Sequence, residues 1–348
     1  MIDVGLIGFG LAGRIFHAPF ISAVKDLRLA AILQRHGDTA ATAYPSARIV
    51  RTPDELLAID SLRLIVIATP NTTHFELAKA ALLSGRDVVI DKPFAPTYAE
   101  AAELVEIAAK HGRVLSVFQN RRWDGDFQTV RQLISEGRLG RITLFESHFD
   151  RFRPRLKENA WRERDEPGSG ILFDLGPHLI DQALVLFGEP EALAADVRAE
   201  RDGSPVDDTF DITLYYPQMR ALLRAGVLIS TPTPRFAIQG TSGGYLKYGL
   251  DPQEATLIAG ERPQDDSWGR DDPSRWGTLV TAQGDVLSDA RYPTGAGDYR
   301  GYYVNVRDAM LGTAPLAVTP QQALQVMHAL ELARESSRRR CALLWKRD

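Results

Sequence analysis

A single cysteine, Cys341, in 348 residues has no internal disulfide partner. The fold is therefore expected to rest on its core, in a reducing compartment such as the cytoplasm. No stretch is long and apolar enough to span a bilayer, and no basic leader precedes the first apolar residues. Charge of one sign is not in excess. The 41 Lys and Arg against 45 Asp and Glu leave a net −4, which speaks against nucleic acid or an anionic membrane as partner. The seven histidines have no metal-ligand spacing, so no metal is expected. Internal repeats and low-complexity tracts are also missing.

Against these absences stands Gly8-Phe9-Gly10-Leu11-Ala12-Gly13, directly after the apolar run Val4 to Ile7 and before a helical stretch, Arg14 to Val24. A strand–GxGxxG–helix order is the setting in which such glycines cradle a dinucleotide pyrophosphate against a helix N-terminus. Gly8, Phe9, Gly10, Leu11 and Ala12 are thus candidate cofactor contacts. One expected residue is lacking. The second strand, Leu29 to Leu33, ends in Gln34-Arg35-His36 and not in the acid that accepts from the ribose hydroxyls of NAD. A carboxylate repels a 2′-phosphate and a guanidinium grips it, so NADP is favoured, with NAD as the alternative.

Strand-like and helix-like segments alternate up to about residue 118, and the strands are apolar throughout. Strands buried on both faces call for a parallel sheet between helices, an α/β Rossmann domain over 1–120. From 121 to 348 strands dominate: 141–151, 192–200, 210–216, 220–229 and 235–240, with helices near 175–187, 303–311 and 320–337. That pattern predicts an α+β domain with an open, mostly antiparallel or mixed sheet, serving substrate binding and oligomerisation. Residues 251–300 are rich in Asp, Gly, Pro and Arg and read as long loops broken by a hairpin. Gly240 to Gly244 matches GxSxG, but a strand-like segment follows it instead of a helix, so it reads as a turn.

Three further groups carry chemistry. Thr69, Pro70, Asn71 and His74 follow an apolar strand, where parallel sheets bind ligands; the same residues could simply start a helix. Asp91-Lys92-Pro93 follows Val88-Val89-Ile90 without a loop, which sets Lys92 at a strand end. Asp174 and His178 lie one helical turn apart, provided that Pro177 does not begin the helix. On pattern alone His178 is either a catalyst or a core or capping histidine.

Together GFGLAG, ATPNTTH, DKPF, FQNRRWDGDF, DRFRPR, GSGILFDLGPHLIDQ and DDSWG, in that order, resemble the Gfo/Idh/MocA family of nicotinamide-dependent sugar and polyol dehydrogenases over nearly the whole chain. The likeness is greatest to its NADP-dependent scyllo-inositol dehydrogenase group. The resemblance implies Lys92, Asp174 and His178 as catalytic residues, with His178 taking the hydroxyl proton. It also implies Asp91 and Asn120 near the cofactor, a cis Lys92–Pro93 bond, and a homodimer or homotetramer built on the second domain's sheet. Asp91 replaces the commoner glutamate, and Arg35-His36 replaces the Ser-Arg order of NADP-using relatives. Arg122, Asp124, Arg153 and Trp161 are the polar or aromatic candidates for a polyol substrate. Reduction of another keto-sugar or an imine, or NADP sensing without catalysis, are the rival readings. A sensor needs neither Lys92 nor His178.

Overall fold

The computed structural model describes residues 1–156, 163–263 and 267–346. In chain order the first elements are β1 (Ile2–Ile7), α1 (Ala18–Ala23), β2 (Leu27–Leu33), α2 (Thr39–Ala43), β3 (Arg48–Val50), α3 (Pro53–Leu57), β4 (Leu62–Ile67), α4 (His74–Leu83), β5 (Asp87–Ile90), α5 (Tyr98–Lys110) and β6 (Leu115–Val117). Then come α6 (Gly125–Ser135), β7 (Ile142–His148), α7 (Ile171–Phe187), β8 (Ala192–Arg198), β9 (Thr209–Tyr216), β10 (Met219–Gly226), β11 (Pro234–Gly240) and β12 (Gly243–Tyr248). The chain ends with α8 (Gln253–Ile258), β13 (Gly277–Gln283), β14 (Val286–Tyr292), α9 (Arg300–Met310), α10 (Pro320–Arg339) and β15 (Leu343–Leu344). They form two compact units, 1–120 with 254–268 and 298–327, and 121–253 with 269–297 and 328–348.

In the first unit six parallel strands run in the order β3-β2-β1-β4-β5-β6. Every residue of β1 and β5 is buried, as strands covered on both faces require. The strand order reverses between β1 and β4, the point at which such sheets open for a ligand. The sequence reading assigned 254–268 and 298–327 to the second domain. Aromatic packing explains their place here: Phe20 meets Trp268 and Tyr299, and Phe118 meets Tyr302 and Tyr303. Buried Ser116 ties the return, accepting from the Tyr302 hydroxyl and donating to the Val318 carbonyl, both at 2.9 Å. The expected helix from Arg14 begins as one wide π-helical turn, Gly13–His17, before α1.

The second unit holds an open nine-stranded sheet, β14-β13-β12-β11-β7-β10-β9-β8-β15, antiparallel except for β7 beside β10. Leu193, Leu214, Leu223, Phe145, Phe236 and Ile238 line its buried face, and α7 packs on β9 and β10. Register puts Tyr215 beside Arg220 and Asp211 beside Arg224 on the other face. That face is a mix of charged and apolar groups and carries less hydrophobic surface than the strand patterns suggested. Gly240 and Gly243 close a tight hairpin between β11 and β12, so GxSxG is a turn. Helices α6 and α8 were not foreseen: α6 does carry Phe127, Val130 and Leu133 at helical spacing, a signal the sequence reading missed, and α8 is only six residues long.

Candidate functional site

All candidate cofactor residues of the first unit lie at the C-terminal edge of its sheet. Main-chain bonds carry the ladder past the strand ends: Gly8 N–H donates to Leu33, Ala68 to Ile7, Asp91 to Ile67 and Phe118 to Ile90. The glycine loop is therefore flanked by the β2 and β4 ends, and Asp91-Lys92 emerges one strand further on.

Gly8 has φ +99°, and a Cβ there would stand 2.6 Å from the Ala68 carbonyl oxygen. A Cβ on Gly13 would stand 2.0 Å from the Gly8 carbonyl oxygen. Gly10 faces open space, with nothing within 4 Å of the equivalent point. Two glycines are thus demanded by the fold, and the middle one leaves bare backbone where a pyrophosphate would approach. These residues fit a dinucleotide. Phe9 turns its ring inward against Tyr44, centroids 5.9 Å apart, so only its main chain faces that opening. Leu11 is exposed and Ala12 half-buried.

Arg35 and His36 are exposed on the β2–α2 loop, and that loop is braced from beneath. The Gln34 amide donates to the His36 carbonyl and Thr39 hydroxyl at 2.9 Å and accepts from Ala40 N–H at 2.8 Å. Arg51 donates to the Gln34 and Gly37 carbonyls at 2.8 and 2.7 Å and to Asp38 at 2.7 Å. Gln34 is therefore a brace in this structure. Arg51 escaped the sequence reading because β3, which it follows, is only three residues long.

The β4 and β5 ends are tied by His74. Its ring nitrogens lie 2.9 Å from the Pro93 carbonyl oxygen and 3.0 Å from that of Thr69. Burial pulls the imidazole below its ordinary pKa, with Asp91 and the two carbonyls acting against that pull. His74 thus holds loops from the sheet interior. Asn71 is buried beside it, while Thr69 and Pro70 are more exposed. The Lys92–Pro93 bond is cis, as expected. Lys92 is half-buried, and its main-chain N–H donates to the Asp91 carboxylate at 2.9 Å. Asn120 is buried and opens a 3₁₀ turn, Asn120–Trp123.

In the second unit α7 begins four residues before the sequence reading placed it and continues through Pro177. Its first turn is capped from a distance. The Asp207 main-chain oxygen accepts from Ile171 N–H at 2.9 Å and its carboxylate from Leu172 N–H at 2.7 Å. Gly170, at φ +89°, is needed for this approach, since a Cβ would come within 2.3 Å of that carboxylate. Because the helix is continuous, half-buried Asp174 and buried His178 are one turn apart on one face. Asp181 continues the face and grips Arg122 with two bonds, Nε to Oδ2 at 2.8 Å and Nη2 to Oδ1 at 2.6 Å. Arg122 is thus anchored to the helix of Asp174 and His178. Asp181 was overlooked, although its spacing of three from His178 and seven from Asp174 was a signal.

The remaining substrate candidates divide. Asp124 is buried at the start of α6, 3.4 Å from Arg121. Arg153 is exposed, and its main chain bonds to Val227. Trp161 lies outside the described residues.

Residues 2–119 match the family model described as oxidoreductase family, NAD-binding Rossmann fold, and 131–342 match the one described as oxidoreductase family, C-terminal alpha/beta domain. The chain is 45% identical to the uncharacterised oxidoreductase YdgJ of Escherichia coli (strain K12) over 342 residues, 98% of each chain. It is 36% identical to the scyllo-inositol 2-dehydrogenase (NADP(+)) IolW of Bacillus subtilis (strain 168), over 99% of this chain and 96% of that one. The solved structure of yvaA from Bacillus subtilis superposes with a TM-score of 0.96 at 35% identity, covering 99% of this chain and 98% of that one. No helix among the described residues is long and apolar enough to cross a membrane.

Proposed function

Because the chain belongs to the Gfo/Idh/MocA oxidoreductase family, we propose that it oxidises a secondary hydroxyl of a cyclic polyol or sugar, scyllo-inositol or a near analogue, with NADP. The observation that carries the reading is the unbroken α7, which holds Asp174 and His178 one turn apart on one face. In this mechanism His178 takes the hydroxyl proton, since an imidazole exchanges protons near neutrality. Asp174 orients the imidazole. Lys92 supports the negative charge that develops on the substrate oxygen. Bound nicotinamide supplies the hydride acceptor. The glycine loop and the braced β2–α2 loop bind and orient the dinucleotide, and Arg122, fixed by Asp181, offers its guanidinium to hydroxyl groups. Assay of inositols, aldoses and keto-sugars with NAD(H) and NADP(H) tests this. Activity confined to non-carbohydrate substrates, or absent with all of them, would overturn it.

Exposed Arg35 is the proposed 2′-phosphate contact. Arg35→Ala is expected to weaken NADP by about one to two decades and to leave NAD unchanged, since a charge-assisted bond is worth roughly 1.5–3 kcal/mol. Titration of the cofactor-free protein measures both. Equal losses would make Arg35 structural.

We also propose a homodimer, or a tetramer of such dimers, through the open sheet face that carries Tyr215, Leu246 and Tyr248, 36–47% exposed. Sedimentation at micromolar concentration should show at least a dimer. A strict monomer would exclude it.

A further inference from the structure

Behind the Lys92 main chain lies a buried chain of side chains that the mechanism above does not use. Asp91 Oδ1, the oxygen that accepts the Lys92 N–H at 2.9 Å, faces His17 Nε2 at 3.7 Å. The other ring nitrogen, Nδ1, is 2.6 Å from the Tyr303 hydroxyl. His17 and Tyr303 are fully buried, and the His17 ring lies against Phe118 with centroids 4.3 Å apart. Three segments distant in sequence therefore meet: the π-helical turn that completes the glycine fingerprint, the end of β5, and α9. Single π-helical turns occur often at functional sites.

We propose that His17, fixed by Tyr303, is a positioning residue: it holds the Asp91 carboxylate in the orientation that anchors the Lys92 main chain. This rests on the reading of Lys92 as catalytic. The Tyr303 contact is a hydrogen bond, and the Asp91 contact, at 3.7 Å, is a longer electrostatic one. An ionised Asp91 favours the His17 tautomer whose proton is on Nε2, facing the carboxylate. Nδ1 is then an acceptor, and the Tyr303 O–H donates to it. Burial, with help from Tyr302 and Asp91, pushes the Tyr303 hydroxyl well above its ordinary pKa, so it remains a donor. Burial alone would raise the Asp91 carboxyl, but His17, Lys92 and His74 outweigh it and hold it below its ordinary value. Among the described residues, His17, Lys92, His74 and Tyr303 are the titratable groups that act with Asp91.

The test compares His17→Ala, His17→Gln, Tyr303→Phe and Asp91→Asn, with the His17→Ala/Asp91→Asn double variant. His17→Ala should lower kcat roughly ten- to hundredfold, the cost of a small misplacement at a reacting group. The Kd for NADP, read by titration of the cofactor-free protein, should stay within about twofold, less than the 1.4 kcal/mol that marks a decade. His17→Gln, which keeps a side-chain N–H donor at this position, should recover part of kcat. Tyr303→Phe should show a smaller loss of the same kind. The double variant should be no slower than Asp91→Asn alone, because residues acting through one another are not additive.

A second readout needs no cofactor. A carboxyl held below its ordinary 3.8 adds stability above that value, and the gain is lost as pH falls through the folded-state value. The loss of Tm as pH falls below about 3.8 should therefore be smaller in His17→Ala than in the parent. It should not differ between Asp91→Asn and the double variant. If Lys92→Ala retains full activity, the reading of Lys92 fails and this proposal with it. If Lys92→Ala is inactive while His17→Ala matches the parent in kcat, the relay alone is overturned. It is overturned too if kcat and NADP affinity fall in parallel in both His17 variants, or if the losses from His17 and Asp91 multiply.

Discussion

Lys92→Ala and His178→Ala are each expected to lower kcat by at least about a hundredfold while the cofactor Kd stays close to that of the parent. General acid–base groups contribute roughly 10²–10⁴ in rate, and neither side chain belongs to the glycine loop that would hold the dinucleotide. Lys92 follows β5 directly, and His178 lies within the continuous α7, so both substitutions remove a side chain without breaking a main-chain ladder. The effect should appear in kcat and kcat/KM together, as for an interaction made in the transition state. Turnover near the parent rate by either variant would remove that residue from the mechanism.

Asp181→Ala is expected to destabilise the protein by about 3–5 kcal/mol, because it removes a carboxylate that holds the buried Arg122 guanidinium with two hydrogen bonds. The side chains of Arg122 and Asp181 are only 6% and 3% exposed, so water cannot replace the lost partner. The double variant Arg122→Met/Asp181→Leu should unfold in denaturant near the parent midpoint, since a buried ion pair exchanged for apolar groups of similar volume costs little. Its activity then separates two roles for Arg122. A stable but inactive double variant supports a substrate contact, and a stable, active one shows that the pair serves only the fold. A single Asp181→Ala variant as stable as the parent would mean that the pair is not desolvated.

The first unit was legible because its signals are local. The six-residue β1, the glycines and the helix after them are adjacent in sequence, and each strand end leads straight into its candidate loop. Lys92 and the DKPF stretch could be read for that reason. What escaped was held together over long separations. Tyr303 meets His17 across 286 residues, and no periodicity in α9 marks that contact. Pro177 left the Asp174–His178 spacing open, and only the helix running on to Phe187 resolved it. The sequence reading makes Arg122 a candidate substrate contact and assigns no partner to it. Its bond to Asp181, 59 residues on, follows from tertiary packing that overrides what local composition suggests.

The cap on α7 has a consequence for motion. Asp207 lies 35 residues beyond Leu172, so the start of this helix is not encoded in its own sequence. Gly170 has no side chain to offer in its place. If the segment before β9 lifted away, the Ile171 and Leu172 amides would lose their acceptors, and the first turn of α7 would fray. Were that remote loop to open, the helix start would loosen with it as one cooperative event.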